Sequence, residues 1–181
     1  MTLSRIRPQD GFGLIELLIA MTILTVGIMG IVAAFSAGAV SLQRASRAST
    51  AGAVADAQME SYRALQYAGI KLDASSIPAA ADAPPYTTDP AFSTSQIVGG
   101  SPPCAAPDVR ADPECARRTT TGADGRNYLV DVYITETCPL GGTPPCSGSR
   151  PAKLVTLVVR DGVDTAKVLV RQASTFDEAT G

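Results

Sequence analysis

A single carboxylate lies inside the longest apolar stretch of this 181-residue chain. Glu16 follows Gly11 and Phe12 in the run GFGLIELLIAM, and the next charged residue is Arg44. A charged side chain at the centre of a membrane-spanning helix costs about 2.5–3.5 kcal/mol on insertion scales. We therefore expect the chain to use this carboxylate, and Glu16 is the first candidate functional residue.

Four cysteines form the second candidate group, and all of them follow the apolar stretch: Cys104, Cys115, Cys138 and Cys146. Four cysteines allow three pairings, and an oxidising compartment would favour two disulfides. The nearest-neighbour pairing would close two short loops, each contributing roughly 2–3 kcal/mol. A zinc site is the alternative. Disulfides are favoured because the spacings, with ten and seven intervening residues, do not match the short C-x₂₋₄-C knuckle.

Several kinds of chemistry are missing from the sequence. The chain has no histidine, which excludes imidazole ligands and a histidine-based triad or general base. It also has no G-x-S-x-G, Walker or dinucleotide-binding fingerprint. The net charge of −2 argues against a nucleic-acid-binding surface, which is normally basic. We expect neither an enzyme nor a bound cofactor, metal or nucleic acid.

Three polar pairs outside the apolar stretch have simple interpretations. Asp124-Gly125 and Asp161-Gly162 could belong to calcium loops, but no EF-hand-like ligand series follows either pair. Both are interpreted as turns. Arg117-Arg118 is interpreted as an exposed charge pair in a loop.

Residues 12–40 predict a long apolar helix. Roughly 20 residues span a bilayer at about 1.5 Å per residue, and this stretch is longer. Arg5 and Arg7 precede it, so the positive-inside rule places the N-terminus in the cytoplasm and the C-terminal part outside. The stretch therefore predicts a single membrane span.

The helix is expected to continue as an amphipathic half over residues 41–69. This segment has no proline, and Gly69 is the expected stop. Small and apolar residues recur at steps of three and four, so they share one face suited to close packing on a sheet. These residues are Val54, Ala57, Ser61, Leu65 and Ala68.

Residues 70–181 predict a globular head in two parts. Residues 70–125 hold most of the prolines and are interpreted as an irregular region. Residues 126–175 carry strand patterns joined by short links, which predict an antiparallel meander. The predicted fold class is α+β, with a long N-terminal helix, hydrophobic in its first half and amphipathic in its second, packed on a small antiparallel sheet.

The predicted strands cover residues 127–138, 153–160 and 166–172. Side chains alternate between the two faces of a strand, so one sheet face would pack on the helix and the other would be partly polar. The first face carries Tyr128, Val130, Val132 and Ile134, and the second carries Asp131, Thr135 and Thr156.

Two simple interpretations of the apolar stretch are open. A secretory signal peptide would fit the basic start and the A-x-A site at 37–39, but its apolar region spans only 7–15 residues. The stretch here is nearly twice as long. A plain single-pass anchor would fit the length but would leave Glu16 without a role.

The sequence Gly11-Phe12-Gly13-Leu14-Ile15-Glu16 and the charge-free run after it resemble the class III signal of type IV pilins and type II secretion pseudopilins. The resemblance implies a leader at residues 1–11, cut by a prepilin peptidase between Gly11 and Phe12. It also implies N-methylation of Phe12 and a pilin-like fold. In that family Glu16 would be the fifth mature residue, pairing with the terminal amine of a neighbouring subunit during assembly.

The resemblance also implies partners and a location. The partners are prepilin peptidase, other pilins or pseudopilins contacted through the N-terminal helix, an inner-membrane assembly platform, and membrane lipid before assembly. The chain would be a single-pass membrane protein that reaches the pilus or cell surface after assembly. The alternative is a membrane-anchored or secreted binding domain that does not polymerise.

Two further segments resemble the pilus modification group of minor pilins and the related minor pseudopilins. One is Ile23–Ile31, with its pattern of glycine, two hydrophobic residues and glycine, and the other is Ala57–Tyr67. Many pilins carry a proline in the apolar half of the helix, whereas this chain has none between Pro8 and Pro78. Gly27 and Gly30 could weaken the helix there instead.

Overall fold

The computed structural model describes residues 13–77, 84–99, 104, 114–138, 146 and 150–178. The chain divides into two compact units, residues 1–44 and 45–181. One α-helix, α1, covers Leu14–Arg63 and contributes residues to both. The second unit adds an antiparallel four-stranded sheet, so the predicted α+β fold class is confirmed.

The described part of the first unit is the apolar portion of α1. Every residue from 13 to 46 is solvent-exposed, including large apolar side chains such as Leu14, Met21 and Phe35. By length and composition, α1 is able to cross a membrane. An apolar surface of this extent is uncommon on a soluble monomer and indicates contact with lipid or with other apolar helices.

In the described part of the second unit there are six strands, which are β1 Leu72–Asp73, β2 Val98–Gly99, β3 Arg117–Thr121, β4 Asn127–Thr137, β5 Ala152–Asp161 and β6 Val168–Asp177. β1 and β2 form a short parallel pair. The other four form an antiparallel sheet in the order β3-β4-β5-β6, so consecutive strands are neighbours. The predicted meander of three strands is therefore present, extended by one strand.

The extra strand, β3, lies in the region that the sequence interpretation left irregular. Its first residues are Arg117 and Arg118, so interpreting this pair as part of an exposed loop was wrong. Arg117 is partly buried and forms an ion pair with Asp131. The run RRTTT lacks the apolar alternation that identifies a half-buried strand, which is why the pattern failed there.

The helix packs on the sheet with a face that only partly overlaps the predicted one, since Val54 and Leu65 of the predicted stripe are partly buried against the core. The buried residues of α1 are Ala51, Ala55, Gln58, Met59 and Tyr62, whereas Ala57 is exposed. The prediction chose the stripe of small residues, but the two largest side chains of the face, Met59 and Tyr62, turn the other stripe inward. Large side chains bury more apolar area and so dominate the choice of face.

The α-helix ends earlier than predicted, at Arg63, and a 3₁₀ turn follows at Tyr67–Gly69. Lys153 stabilises this end, because its Nζ donates hydrogen bonds of 2.7 Å to the carbonyl oxygens of Tyr67 and Ile70. The same ammonium lies 4.4 Å from the centre of the Tyr67 ring. The Tyr67 carbonyl also accepts from the Ile70 N–H at 3.2 Å, so Lys153 adds a second donor to the turn that follows α1.

Both faces of the central strands are buried. The face towards α1 carries Val130, Val132 and Ile134, as predicted. The opposite face is partly polar, as predicted, but it is also closed to solvent, since Asp131 is fully buried and Tyr133 is 1 % exposed. Residues 84–97, which we call the cover segment, close it.

The cover segment is held on the sheet by a pair of tyrosines. The Tyr86 ring stacks on Tyr133 with centroids 4.6 Å apart. Each hydroxyl donates a hydrogen bond to the opposite segment, Tyr86 to the carbonyl of Val132 at 2.8 Å and Tyr133 to the carbonyl of Tyr86 at 3.0 Å. Gln96 adds a contact, since its side-chain oxygen accepts from the Ile134 N–H. These bonds leave both buried phenols with partners, as buried polar groups require.

Candidate functional site

Glu16 lies in the first turn of α1. The carbonyl of Gly13 accepts hydrogen bonds from the N–H groups of Glu16 and Leu17, at 3.0 and 3.2 Å, and so closes that turn. A carboxylate in this position is favoured by the partial positive charge of the helix N-terminus. The helix thus accommodates the carboxylate locally, although nothing in residues 13–77 neutralises its charge.

The other polar side chains of the apolar half are satisfied within the helix. The hydroxyls of Thr22, Thr25 and Ser36 donate to the carbonyls of Ile19, Met21 and Val32 at 2.8–2.9 Å. Such back-bonding lets hydroxyl residues enter an apolar environment without an unpaired donor. Among the described residues from 14 to 40, Glu16 is therefore the polar side chain that lacks a hydrogen-bond partner.

Three glycines of the apolar half have open space beside them. A Cβ placed on Gly27, Gly30 or Gly38 would meet no atom within 4 Å other than the neighbouring backbone of its own helix. These glycines and Ala34 fall on one side of a helix with 3.6 residues per turn. Small residues at such spacing allow the backbones of two apolar helices to approach closely.

The predicted cleavage and methylation positions, Gly11 and Phe12, lie outside the described residues. The four cysteines are all described, and they form the two nearest-neighbour disulfides. The Cα atoms are 5.7 Å apart in Cys104–Cys115 and 5.4 Å apart in Cys138–Cys146. Both pairs lie within the usual range for disulfides, and no thiol among the described residues is free to ligate zinc.

A network of five charged side chains, unforeseen from the sequence, lies between the sheet and the cover segment. Asp131 accepts from Arg117 Nε at 2.7 Å and from Arg160 Nε at 2.9 Å. Asp89, in the cover segment, accepts from Arg160 and, through both oxygens at 2.8 Å, from Arg171. Three guanidinium groups thus surround two carboxylates, with Asp89, Asp131 and Arg160 all buried.

The network keeps the Asp89 carboxylate ionised. Burial alone would raise the pKa of Asp89, but the hydrogen bonds from Arg171 and from the Ala91 N–H, with the charges of Arg171 and Arg160, outweigh it and hold the pKa below its usual value. A buried charge is tolerated when it is paired and hydrogen-bonded in this way. No group of three potential metal ligands occurs within the described parts of the chain. The network therefore positions the cover segment and offers no reactive group.

Two signals in the sequence could have identified part of this network. Asp131 interrupts the alternating apolar run of β4, and Arg160 ends the apolar run of β5. A charge inside a strand that is otherwise apolar calls for a buried partner. Asp89 carried no such signal, because it lies in a proline-rich segment without periodicity.

A family model described as the prokaryotic N-terminal methylation motif matches residues 6–36. The match contains Gly11, Phe12 and Glu16, and it covers less than a fifth of the chain. It supports a type IV pilin-like protein and indicates prepilin-type processing, and it suggests a structural protein rather than an enzyme. Together with the apolar helix it fits a membrane-anchored, pilus-associated protein. No curated protein and no solved structure matches the chain.

Proposed function

We propose that this chain is a minor structural subunit of a type IV pilus or of a type II secretion pseudopilus. The observation that carries the proposal is the placement of Glu16. It is a carboxylate without a partner among residues 13–77, in the first turn of an exposed apolar helix and inside the segment that matches the methylation motif.

Processing would supply the missing partner of this carboxylate. Cleavage by prepilin peptidase after Gly11 releases an amine at Phe12, which then receives a methyl group. Two unit charges at about 4 Å attract each other by about 4 kcal/mol at an effective dielectric constant of roughly 20. That attraction offsets the roughly 2.5–3.5 kcal/mol that an unpaired charge costs within a bilayer. An incoming subunit whose amine reaches the Glu16 of its neighbour would therefore be fixed in axial register.

The exposed surface of the apolar half supports contact between such helices. Gly27, Gly30 and Gly38 have open space around them in the single chain, so a neighbouring helix can approach closely there. Before assembly the same surface would face membrane lipid, with the N-terminus in the cytoplasm and the head outside. The remaining partners would be the inner-membrane assembly platform and the other pilins or pseudopilins.

The head supports a structural role by its construction. Two disulfides and a buried ionic network hold residues of loops and strands together. Such a head suits a subunit that is exposed outside the cell after assembly. The resemblance of Ile23–Ile31 and Ala57–Tyr67 to the pilus modification group favours a minor subunit.

The test combines N-terminal analysis of the mature protein with variants at Glu16. We expect the mature chain to begin with methylated Phe12, and Glu16→Ala and Glu16→Gln to be processed, to remain in the membrane fraction and to be lost from sheared filaments. Thr22→Ala is the matched control, because its hydroxyl is satisfied within the same helix, and it should enter filaments normally. A mature chain beginning at Val40, or an intact Met1, would instead support the non-polymerising binding domain.

A further inference from the structure

One short turn of the head contacts the backbone around both cysteines of a disulfide. The turn Asp73–Ser76 follows β1 as a single 3₁₀ turn, with Asp73 as its N-cap. We propose that this turn is a template that pairs Cys104 with Cys115 during oxidative folding. It would select this pairing from the three that four cysteines allow.

The side chain of Asp73 holds the first cysteine. Its Oδ2 accepts a hydrogen bond of 3.0 Å from the backbone N–H of Cys104. The carboxylate is itself fixed by Ser75, whose N–H donates to Oδ1 at 3.0 Å and whose hydroxyl donates to Oδ2 at 2.7 Å. The Ser75 hydrogen bonds, together with that from the Cys104 N–H, hold the pKa of Asp73 below its usual value. The two Ser75 bonds do not involve Cys104, so they can orient the acceptor before the cysteine arrives.

The two residues that flank the second cysteine are held by the same turn. The backbone N–H of Asp73 donates to the carbonyl of Glu114 at 2.8 Å. The Ser76 hydroxyl accepts from the N–H of Ala116 at 2.9 Å and donates to the carbonyl of Asp73 at 2.7 Å. Cys115 is thus held from both sides at fixed distances from the carboxylate that holds Cys104.

None of these contacts uses a sulfur atom, so all of them can form while the thiols are reduced. The turn is anchored in the core through Leu72, which is fully buried and donates its N–H to the carbonyl of Ile97 at 2.9 Å. Among the described residues, no hydrogen bond of the turn reaches Cys138 or Cys146. The template therefore acts on one pair of cysteines only.

The covalent step is an ordinary thiol–disulfide exchange. A disulfide oxidant such as oxidised glutathione first forms a mixed disulfide with one cysteine and releases one glutathione thiolate. The thiolate of the second cysteine then attacks the protein sulfur, forms the S–S bond and releases the second glutathione. The two cysteines lose two electrons and two protons, and the oxidant gains them. Asp73 is a positioning residue, since it raises the local concentration of the second thiol without touching sulfur.

The test measures the equilibrium of each disulfide with glutathione in the full-length chain in detergent. In a Cys138→Ser/Cys146→Ser background only the first disulfide can form, and in a Cys104→Ser/Cys115→Ser background only the second. Asp73→Ala should lower the effective concentration of the first pair by about tenfold, because a hydrogen bond to a charged group contributes at least about one order of magnitude to an equilibrium constant. Asp73→Asn, which keeps one acceptor oxygen, should restore part of the loss, and the second disulfide should be unchanged.

Two controls separate templating from a general loss of stability. Asp56→Ala removes another aspartate of the second unit, one that binds Gln172 at the surface, and it should change neither disulfide. Ser76→Ala removes the contact to Ala116 together with the bond from the Ser76 hydroxyl to the Asp73 carbonyl, leaves the Asp73 carboxylate in place, and should also weaken the first pair. An unchanged first pair in Asp73→Ala would overturn the template, and so would an equal weakening of both disulfides. The outcome does not depend on whether the chain assembles into a filament.

Discussion

Replacing Asp131 by asparagine tests whether the ionic network stabilises the head. Asp131 is fully buried and accepts from Arg117 and Arg160. Asp131→Asn keeps the shape of the side chain but removes the charge and turns one acceptor into a donor that faces guanidinium groups. Asp89, which accepts from Arg160 and Arg171, would then be the remaining carboxylate of the network, and Arg117 would lose its partner.

The expected loss follows from the burial of the partners. Removing one member of a buried ion pair costs about 3–5 kcal/mol, because the other charge stays buried without compensation. Arg160 keeps its contact with Asp89, and the Arg117 side chain is 19 % exposed and can reach water. We therefore expect a loss near the lower limit, about 3 kcal/mol, which is a large part of the roughly 5–15 kcal/mol stability of an ordinary domain.

Urea unfolding of the full-length chain in detergent is a direct assay. The chain has no tryptophan, and its tyrosines lie in the second unit, so tyrosine emission reports on the head and not on the apolar helix. With a slope of about 2 kcal/mol per molar urea, the midpoint should fall by about 1.5 M. Combining Asp131→Asn with Arg117→Gln should cost less than the sum of the two single changes, since the unpaired cation is removed.

The matched control also removes one carboxylate charge from an ion pair, but at the surface. Glu60 contacts Arg63 at 2.5 Å, and both side chains are more than half exposed. Such pairs contribute about 0.3–0.5 kcal/mol, so Glu60→Gln should move the midpoint by only about 0.2 M. If the two variants shifted the midpoint equally, the reasoning from burial would be refuted.

Two further predictions concern titration. The pKa of Asp89 is lowered in the folded chain. Its contribution to the free energy of unfolding is therefore complete above its pKa in the unfolded chain, about 3.9, and is lost as the pH falls through its pKa in the folded chain. At pH values below about 4 the urea midpoint should therefore decrease. Asp89→Asn should make this decrease with pH less steep, and an equally steep decrease in the variant would contradict the prediction. Burial raises the pKa of all five tyrosines, and that of Tyr86 to about 12. Ultraviolet absorbance should show few phenolates in the folded protein at about pH 10 and half ionisation there after unfolding. Half ionisation of the folded protein at that pH would be inconsistent with buried phenols.

The sequence predicted those elements whose patterns are local. The apolar half of α1 and the strands β4, β5 and β6 follow from composition and from alternation along short segments. The observed strand β5, Ala152–Asp161, extends the prediction of 153–160 by one residue at each end. Glu16 was identified as a candidate because a single charged residue within a long apolar run can be recognised from the sequence alone.

The sequence failed where distant segments decide the structure. The inward face of α1 depends on Met59 and Tyr62, which join a core built mainly from distant strands, so the stripe of small residues identified that face only in part, through Val54 and Leu65. Burial of the second sheet face depends on the cover segment. Its Asp89 contacts Arg160, which lies 71 residues later in the sequence. The periodicity of apolar residues along the sequence carries no information about such a distant contact, so the ionic network was not predictable from it.

The ionic network has an evolutionary consequence. Its five members come from the cover segment and from all four strands of the sheet, and the loss of any of the three buried members, Asp89, Asp131 or Arg160, removes a partner from two other charges. Single substitutions are then selected against, whereas coordinated replacement of a carboxylate and its arginine by apolar residues is tolerated. Homologous chains should therefore differ at positions 89, 131 and 160 together, and a homologue with an apolar residue at 131 should also lack the arginine at 117 or at 160.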